Sequence, residues 1–394
     1  MQQSFTMMKP SFKEMEEKLL MKKEELIDIL TEIASYRAAE EEIAVAIETL
    51  RGADEEIKHY QPAHINKVAV YHSSNVVLYS YILYGVIPSA FSKRIYIRPS
   101  KQSSEILNRI HQLLNGDGAW PIEILNLSQR KFNQHIQGSD MVIFTGRYEN
   151  SLDVMEQHPN ALFLYFGSGV NPFIVGPDAD IEKAVKSAVD ARTFNTGQDC
   201  MCPNVYFVHR SKQQEFRDKL ISEVNQLTFG KRKESKAQIN PIFYEGVADS
   251  ISCFLSEYNN CIIYGGNVNI EDNVVEATIL VSEIKSRLPA NEFFGPVFNV
   301  VIYDENSEIL EWLYLPENIE STMGISVFGA PLLAEVLTSQ HMVAIDASLF
   351  DIESGNNAFG GYGCRANYVR FGNYHESRPL LISREVALLY GQKS

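Results

Sequence analysis

The stretch Asn195-Thr-Gly-Gln-Asp-Cys200 puts a cysteine in a glycine-containing turn between a helical run and a β-rich run. A thiol in that setting suits an exposed, nucleophilic thiolate. By composition alone, a lone cysteine is more often a small buried hydrophobe. Cys202, two residues on, raises a redox or metal pair as another reading, yet two ligands are too few for a structural zinc site, so no metal is expected. The nearest bases in sequence are His72 and Asp199. The five cysteines (Cys200, Cys202, Cys253, Cys261, Cys364) are odd in number and scattered, which argues against a disulfide framework and for a reduced, cytoplasmic protein.

Other short stretches keep company with this turn. Phe144-Thr-Gly146 follows a β-rich run, and Gly169-x-Asn-Pro-Phe-Ile-Val175 with Asp178-Ala-Asp180 leads into the helix before the cysteine. Downstream stand Glu292-Phe-Phe-Gly-Pro-Val297 and Phe359-Gly-Gly-Tyr362. Together, in this order and over roughly residues 65–390, they resemble the landmarks of the aldehyde dehydrogenase superfamily. The resemblance implies an α/β fold with a Rossmann-type cofactor domain and an α/β catalytic domain.

It also implies roles. The Cys200 thiolate adds to an aldehyde carbonyl, and the resulting thiohemiacetal passes hydride to a nicotinamide cofactor. The Cys200 backbone N–H and the Asn75 amide hold the oxyanion, although Asn75 also reads as a turn-capping residue. Glu292 matches the residue that binds the nicotinamide-side ribose, and Phe294 the aromatic beside the ring. Gly146 falls in the phosphate-side turn. Arg98-Pro-Ser100 stands where the family has Lys-Pro-Ser, and Lys101 replaces an acid that accepts both ribose hydroxyls. Two cations there can accept a 2′-phosphate, so the cofactor is NADP or NAD.

The chain departs from the pattern in places. Phe166 occupies the position of the general-base glutamate, and phenylalanine cannot deprotonate a water. Ser74 replaces a tryptophan, Arg147 a serine and Ser151 a glycine of the phosphate turn. Arg147 either contacts a phosphate or blocks it. Three readings follow: oxidation of a free aldehyde, a CoA-acylating or acyl-reducing variant, and a non-catalytic binding or scaffold protein that keeps the fold.

These residues need elements to carry them. Ser11 and Glu14 have capping-box spacing, and residues 11–60 read as two or three amphipathic helices covering something larger. From Val68, short β-rich runs (Val68–Tyr71, Arg94–Ile97, Met141–Phe144, Ala161–Phe166, Val205–Val208) alternate with helical stretches, the texture of βαβ units. A helix over 180–194 capped by Asp178 or Asp180, helices near 211–226 and 244–258, and strands near 261–264, 278–281 and 298–303 follow. Glu385–Tyr390 reads as a final strand. The expected division is a dinucleotide-binding domain over 1–168 with N-terminal helices, a catalytic domain over 169–355, and a tail over 356–394 returning to the first. Few residues separate Gln61 from Val68, so the family's usual oligomerisation hairpin is missing and no oligomeric state follows.

Composition limits the partners. A net charge of −15 repels phosphate backbones, so nucleic acid is not an expected partner. Met1 to Pro10 carries no signal-peptide pattern, and no apolar run approaches the roughly 18 to 20 residues that span a bilayer. The partner expected is a small aldehyde or an activated acyl compound.

Overall fold

The computed structural model describes residues 11–286 and 288–391; the stretch Met1 to Pro10, read above for a signal peptide, lies outside them. The described residues open with three helices, α1 (Phe12–Met21), α2 (Lys23–Leu30) and α3 (Tyr36–Tyr60). Ser11 and Glu14 form the capping box at the start of α1, each side chain taking a backbone N–H of the other. The apolar faces of these helices bury Leu19, Leu26, Leu30, Ile43 and Leu50 in one core with strand residues Val68, Val70 and Ile95. The larger body they cover is a sheet.

That first sheet uses β1 (Ile65–Tyr71), β2 (Ser92–Arg98), β3 (Ile122–Ile124), β4 (Met141–Thr145) and β5 (Leu162–Phe166). Between them lie α4 (Val77–Tyr81), α5 (Ser104–Asn115), α6 (Gln129–His135) and α7 (Tyr148–Gln157). A second sheet begins with β6 (Pro172–Val175), followed by α8 (Ile181–Thr193) and β7 (Val205–His209). Then come α9 (Gln213–Val224), α10 (Val247–Glu257), β8 (Ile262–Tyr264), the short hairpin β9 (Val268–Asn269) and β10 (Val274–Val275), β11 (Thr278–Glu283), β12 (Val297–Tyr303), β13 (Ile325–Phe328) and β14 (Val343–Ile345). Near the C-terminus, β15 (Asn367–Phe371) and β16 (Tyr374–Glu376) cross back.

The first sheet runs β16-β15-β5-β4-β1-β2-β3, and the second β14-β13-β6-β7-β12-β11-β8. Strands β1 to β5 pair in parallel, whereas β15 joins β5 antiparallel. From β1 the chain moves outward through β2 and β3, then returns to β4 on the other side of β1. Such a reversal opens a crevice beyond the carboxyl ends of the strands. Asp180, of the two caps considered, closes the start of α8 by accepting the Lys183 N–H.

One expectation fails. Glu385–Tyr390 belongs to a helix, Ile382–Tyr390, rather than a strand. Its buried positions Ile382 and Val386 are four apart while Leu388 is exposed, so burial follows the helical period and not alternation.

Candidate active site

Cys200 sits in the turn between α8 and β7, and hydrogen bonds from several side chains hold that turn. Asn171, just before β6, donates its amide to the Cys200 carbonyl at 2.6 Å, and its backbone N–H goes to Asn204 Oδ1 at 2.8 Å. Arg192, at the end of α8 and 1% exposed, donates to the carbonyls of Pro203, Gly197 and Phe293. It thereby clamps the cysteine turn to the loop carrying Glu292. Gly197 has a φ of +84°, and a Cβ there would stand 2.6 Å from the Gly295 carbonyl, so only glycine lets the two turns close. Asn195 and Thr196 also take positive φ, at 48° and 59°. The strain is compensated by Asn195 Oδ1, which accepts the Ser35 N–H, and by Thr196 Oγ1, which accepts the Asn240 N–H.

Asn75 lies between β1 and α4. Its neighbour Val76 has a φ of 43°, unusual for a β-branched residue. Glu42 from α3 receives the Leu78 and Tyr79 N–H groups at 2.6 and 3.0 Å, so a carboxyl from another helix caps α4 and fixes the approach of Asn75.

Two cavities meet here. One, of about 400 Å³, is lined by Asn75, Glu42, Tyr244, Phe194 and Phe350. The other, of about 150 Å³, is lined by Cys200, Phe166, Tyr84, Asn367 and Phe359. Val76, Tyr79, Asp199, Met201 and Glu353 form walls of both. Asn75 and Cys200 therefore face adjoining chambers across a shared wall.

The surroundings are acidic. Burial, with Asp199 and Glu292 adding like charge, pushes the half-buried Cys200 thiol well above the ordinary thiol range. Burial alone accounts for most of the rise of Cys202, which is packed away, to about 12. Glu42 is raised to about 7 and Asp199 to about 6, both chiefly by burial. Glu292 is exposed at the rim and accepts the Ser168 hydroxyl at 2.8 Å; crowding protein pushes its carboxyl upward, and solvent contact limits that rise. His72 is buried, held near 4 by desolvation, and lines neither cavity.

The remaining sequence candidates lie outside both cavities. Arg98 ends β2 and donates Nε to the Leu127 carbonyl at 3.0 Å, with exposed Lys101 just beyond. Gly146 follows β4 with a φ of +134°, and Arg147 is exposed at the start of α7, where no side chain caps the helix. Phe294 packs against Tyr244, ring centroids 5.4 Å apart. Ser151 turns inward to the Tyr148 carbonyl and the Tyr368 hydroxyl. A dinucleotide fits these residues: a helix start with no side-chain cap from its N-cap residue suits a pyrophosphate, and cations at the neighbouring strand end suit a phosphorylated ribose. Among the described residues, no three His, Cys, Asp or Glu side chains converge as a metal site, and no helix is long and apolar enough to cross a membrane.

Against this geometry, the profile of the aldehyde dehydrogenase family matches residues 122–314, the segment holding Gly146, Cys200 and Glu292. Just under half of the chain thus matches the aldehyde dehydrogenase family. It is 27% identical over 231 residues to a glutarate-semialdehyde dehydrogenase of Pseudomonas putida, covering 54% of this chain and 47% of that protein. It is 28% identical over 153 residues to the Schizosaccharomyces pombe succinate-semialdehyde dehydrogenase [NADP(+)] 2, covering 36% and 30%. These matches span less than two thirds of either relative's length. Among solved folds of the superfamily, a succinic semialdehyde dehydrogenase from Streptococcus pyogenes, crystallised with NADP+, superposes with a TM-score of 0.82 at 15% identity, over 95% of this chain and 87% of that one.

Sequence reasoning missed Arg192, Glu42 and Glu353. One signal was there for Arg192: a charge among Ala184, Val185, Ala188 and Ala191 on the buried face of a helix needs buried partners.

Proposed function

We propose that this chain is an NAD(P)-dependent oxidoreductase of the aldehyde dehydrogenase type, acting through a thiohemiacetal and then a thioester on Cys200. The observation that carries this reading is the Cys200 turn, clamped by Asn171 and Arg192 and opening on a chamber that adjoins the one lined by Asn75. Residues 1–168 act as the dinucleotide-binding domain, residues 169–355 as the catalytic domain, and residues 356–394 as a tail of the first; the pairing of β15 with β5 supports the last assignment.

The Cys200 thiol gives up its proton to solvent water and its sulfur attacks the aldehyde carbon. The carbonyl oxygen takes the negative charge and accepts hydrogen bonds from the Asn75 amide and the Cys200 N–H. Arg98, Lys101, Gly146, Arg147, Glu292 and Phe294 hold the cofactor, NADP or NAD. That group supplies the hydride acceptor when bound. The free thiols fit a reducing, cytoplasmic setting.

A second reading has one observation in its favour. Phe166 faces the Cys200 chamber where a base is wanted, which suits transfer of the acyl group to another thiol such as CoA, or the reverse reduction. The test is trapping. The protein is mixed with NADP or NAD and a panel of aldehydes that includes the semialdehydes named for its relatives, quenched, and digested for mass spectrometry. An acyl group on Cys200, absent from Cys200→Ser, supports the proposal. No acyl protein with any aldehyde and either cofactor contradicts it, leaving the scaffold reading.

A further inference from the structure

Resting on the reading that Cys200 is acylated, we infer that Asp199 is the base that activates water for release of the acyl group. Water attacks a thioester slowly at neutral pH unless a positioned group takes its proton. Among the described residues, Asp199 and Glu353 line the Cys200 chamber, and Glu42 and Glu292 interact electrostatically with Asp199; three of these carboxyls are already committed. Glu42 accepts two backbone N–H groups at the start of α4 and lines only the Asn75 chamber. Glu353 accepts the Tyr79 hydroxyl at 2.6 Å. Glu292 accepts the Ser168 hydroxyl and lines neither chamber. Asp199 differs from them. It neighbours Cys200 in the chain, is 4% exposed, and forms a wall of both chambers. Its Oδ1 accepts the Met201 N–H at 2.8 Å, which fixes the carboxylate and leaves Oδ2 for a water. His72 is the other base near in sequence, and it reaches neither chamber.

The step balances. Asp199 takes one proton from water as the water oxygen bonds to the acyl carbon. The tetrahedral intermediate collapses, the carbon–sulfur bond breaks, and the Cys200 thiolate leaves with the electron pair. The product is a carboxylic acid, and nothing is oxidised or reduced. Asp199 also faces Glu42 from α3, Glu353 beyond β14, Glu292 before β12, Tyr244 before α10, Arg192 of α8, and the two cysteines of its own turn. Burial raises its value to about 6, against the Met201 N–H and then Arg192, which draw it down. A carboxylate ionised at neutral pH, yet basic enough to accept a proton, is matched to this task.

The experiment needs no cofactor. A p-nitrophenyl ester acylates a reactive thiol and releases a coloured leaving group, so a burst reports acylation and the steady phase reports release. Asp199→Asn is expected to keep the burst, which shows that it folds, and to slow the steady phase roughly 100-fold or more. Acyl-Cys200 should then accumulate by mass spectrometry, and an added thiol such as mercaptoethanol should clear it at the wild-type rate. The wild-type steady phase should rise with pH through about 6, and that rise should vanish in the variant. A burst in both proteins with equal steady rates overturns the inference alone. Loss of steady turnover in Glu353→Gln but not in Asp199→Asn moves the role to Glu353 and overturns it too. No burst in the wild type removes Cys200 as the nucleophile, and the inference with it.

Discussion

Arg192 illustrates how much of the site depends on one side chain that touches no reactant. Its guanidinium bridges three backbone carbonyls, two from the cysteine turn and one from the loop carrying Glu292, and a lysine cannot span that fork. Arg192→Met should therefore destabilise the protein by about 3 kcal/mol or more, since three buried acceptors lose their donor. Chemical denaturation measures this, and a change below about 1 kcal/mol would show that the clamp is dispensable. At this scale the proposed site residues Cys200 and Glu292 stand in short stretches of recognisable types, and Asn75 stands out only by its place after a β-rich run. The carboxyls were not. Glu42 lies 36 residues from the N–H it caps, and Glu353 lies 274 from Tyr79. Local sequence holds no trace of such partners.

Among elements, α4 depends on Glu42, whose folded value of about 7 exceeds its ordinary 4.5 because burial disfavours the charged form. The sign follows: relative to Glu42→Gln, the wild type keeps this contribution below pH 4.5 and loses it as pH rises through about 7, a swing of about 3 kcal/mol. Thermal melts of both proteins from pH 4 to 8 test this, and parallel curves would contradict it. At the end of β2, Arg98 and Lys101 belong to the cofactor proposal. Lys101→Glu should shift preference from NADP towards NAD, because a carboxylate repels the 2′-phosphate; unchanged relative affinities in calorimetry would put the ribose elsewhere. Elements with a clear pattern, such as α8 and the strands β1, β2, β4, β5 and β7, were readable in sequence, whereas the short β3 and β6 were not. The terminal helix Ile382–Tyr390 was not, since a short apolar run fits either period until packing decides.

At the scale of the molecule, the described residues build two seven-stranded sheets and set the cysteine turn where residues from both meet. The ordered landmarks made this architecture legible, whereas the adjoining chambers arise from segments as distant as Asn75, Asp199 and Glu353. The central claim is that Cys200 takes an acyl group as hydride leaves an aldehyde, and rapid mixing tests it most directly. Protein, NADP or NAD, and a reactive aldehyde should give a burst of reduced cofactor of about one equivalent per Cys200, followed by a slower steady phase. Cys200→Ser should give none. A wild type that binds either cofactor yet shows no burst with any aldehyde, or a serine variant that bursts equally, would contradict the account.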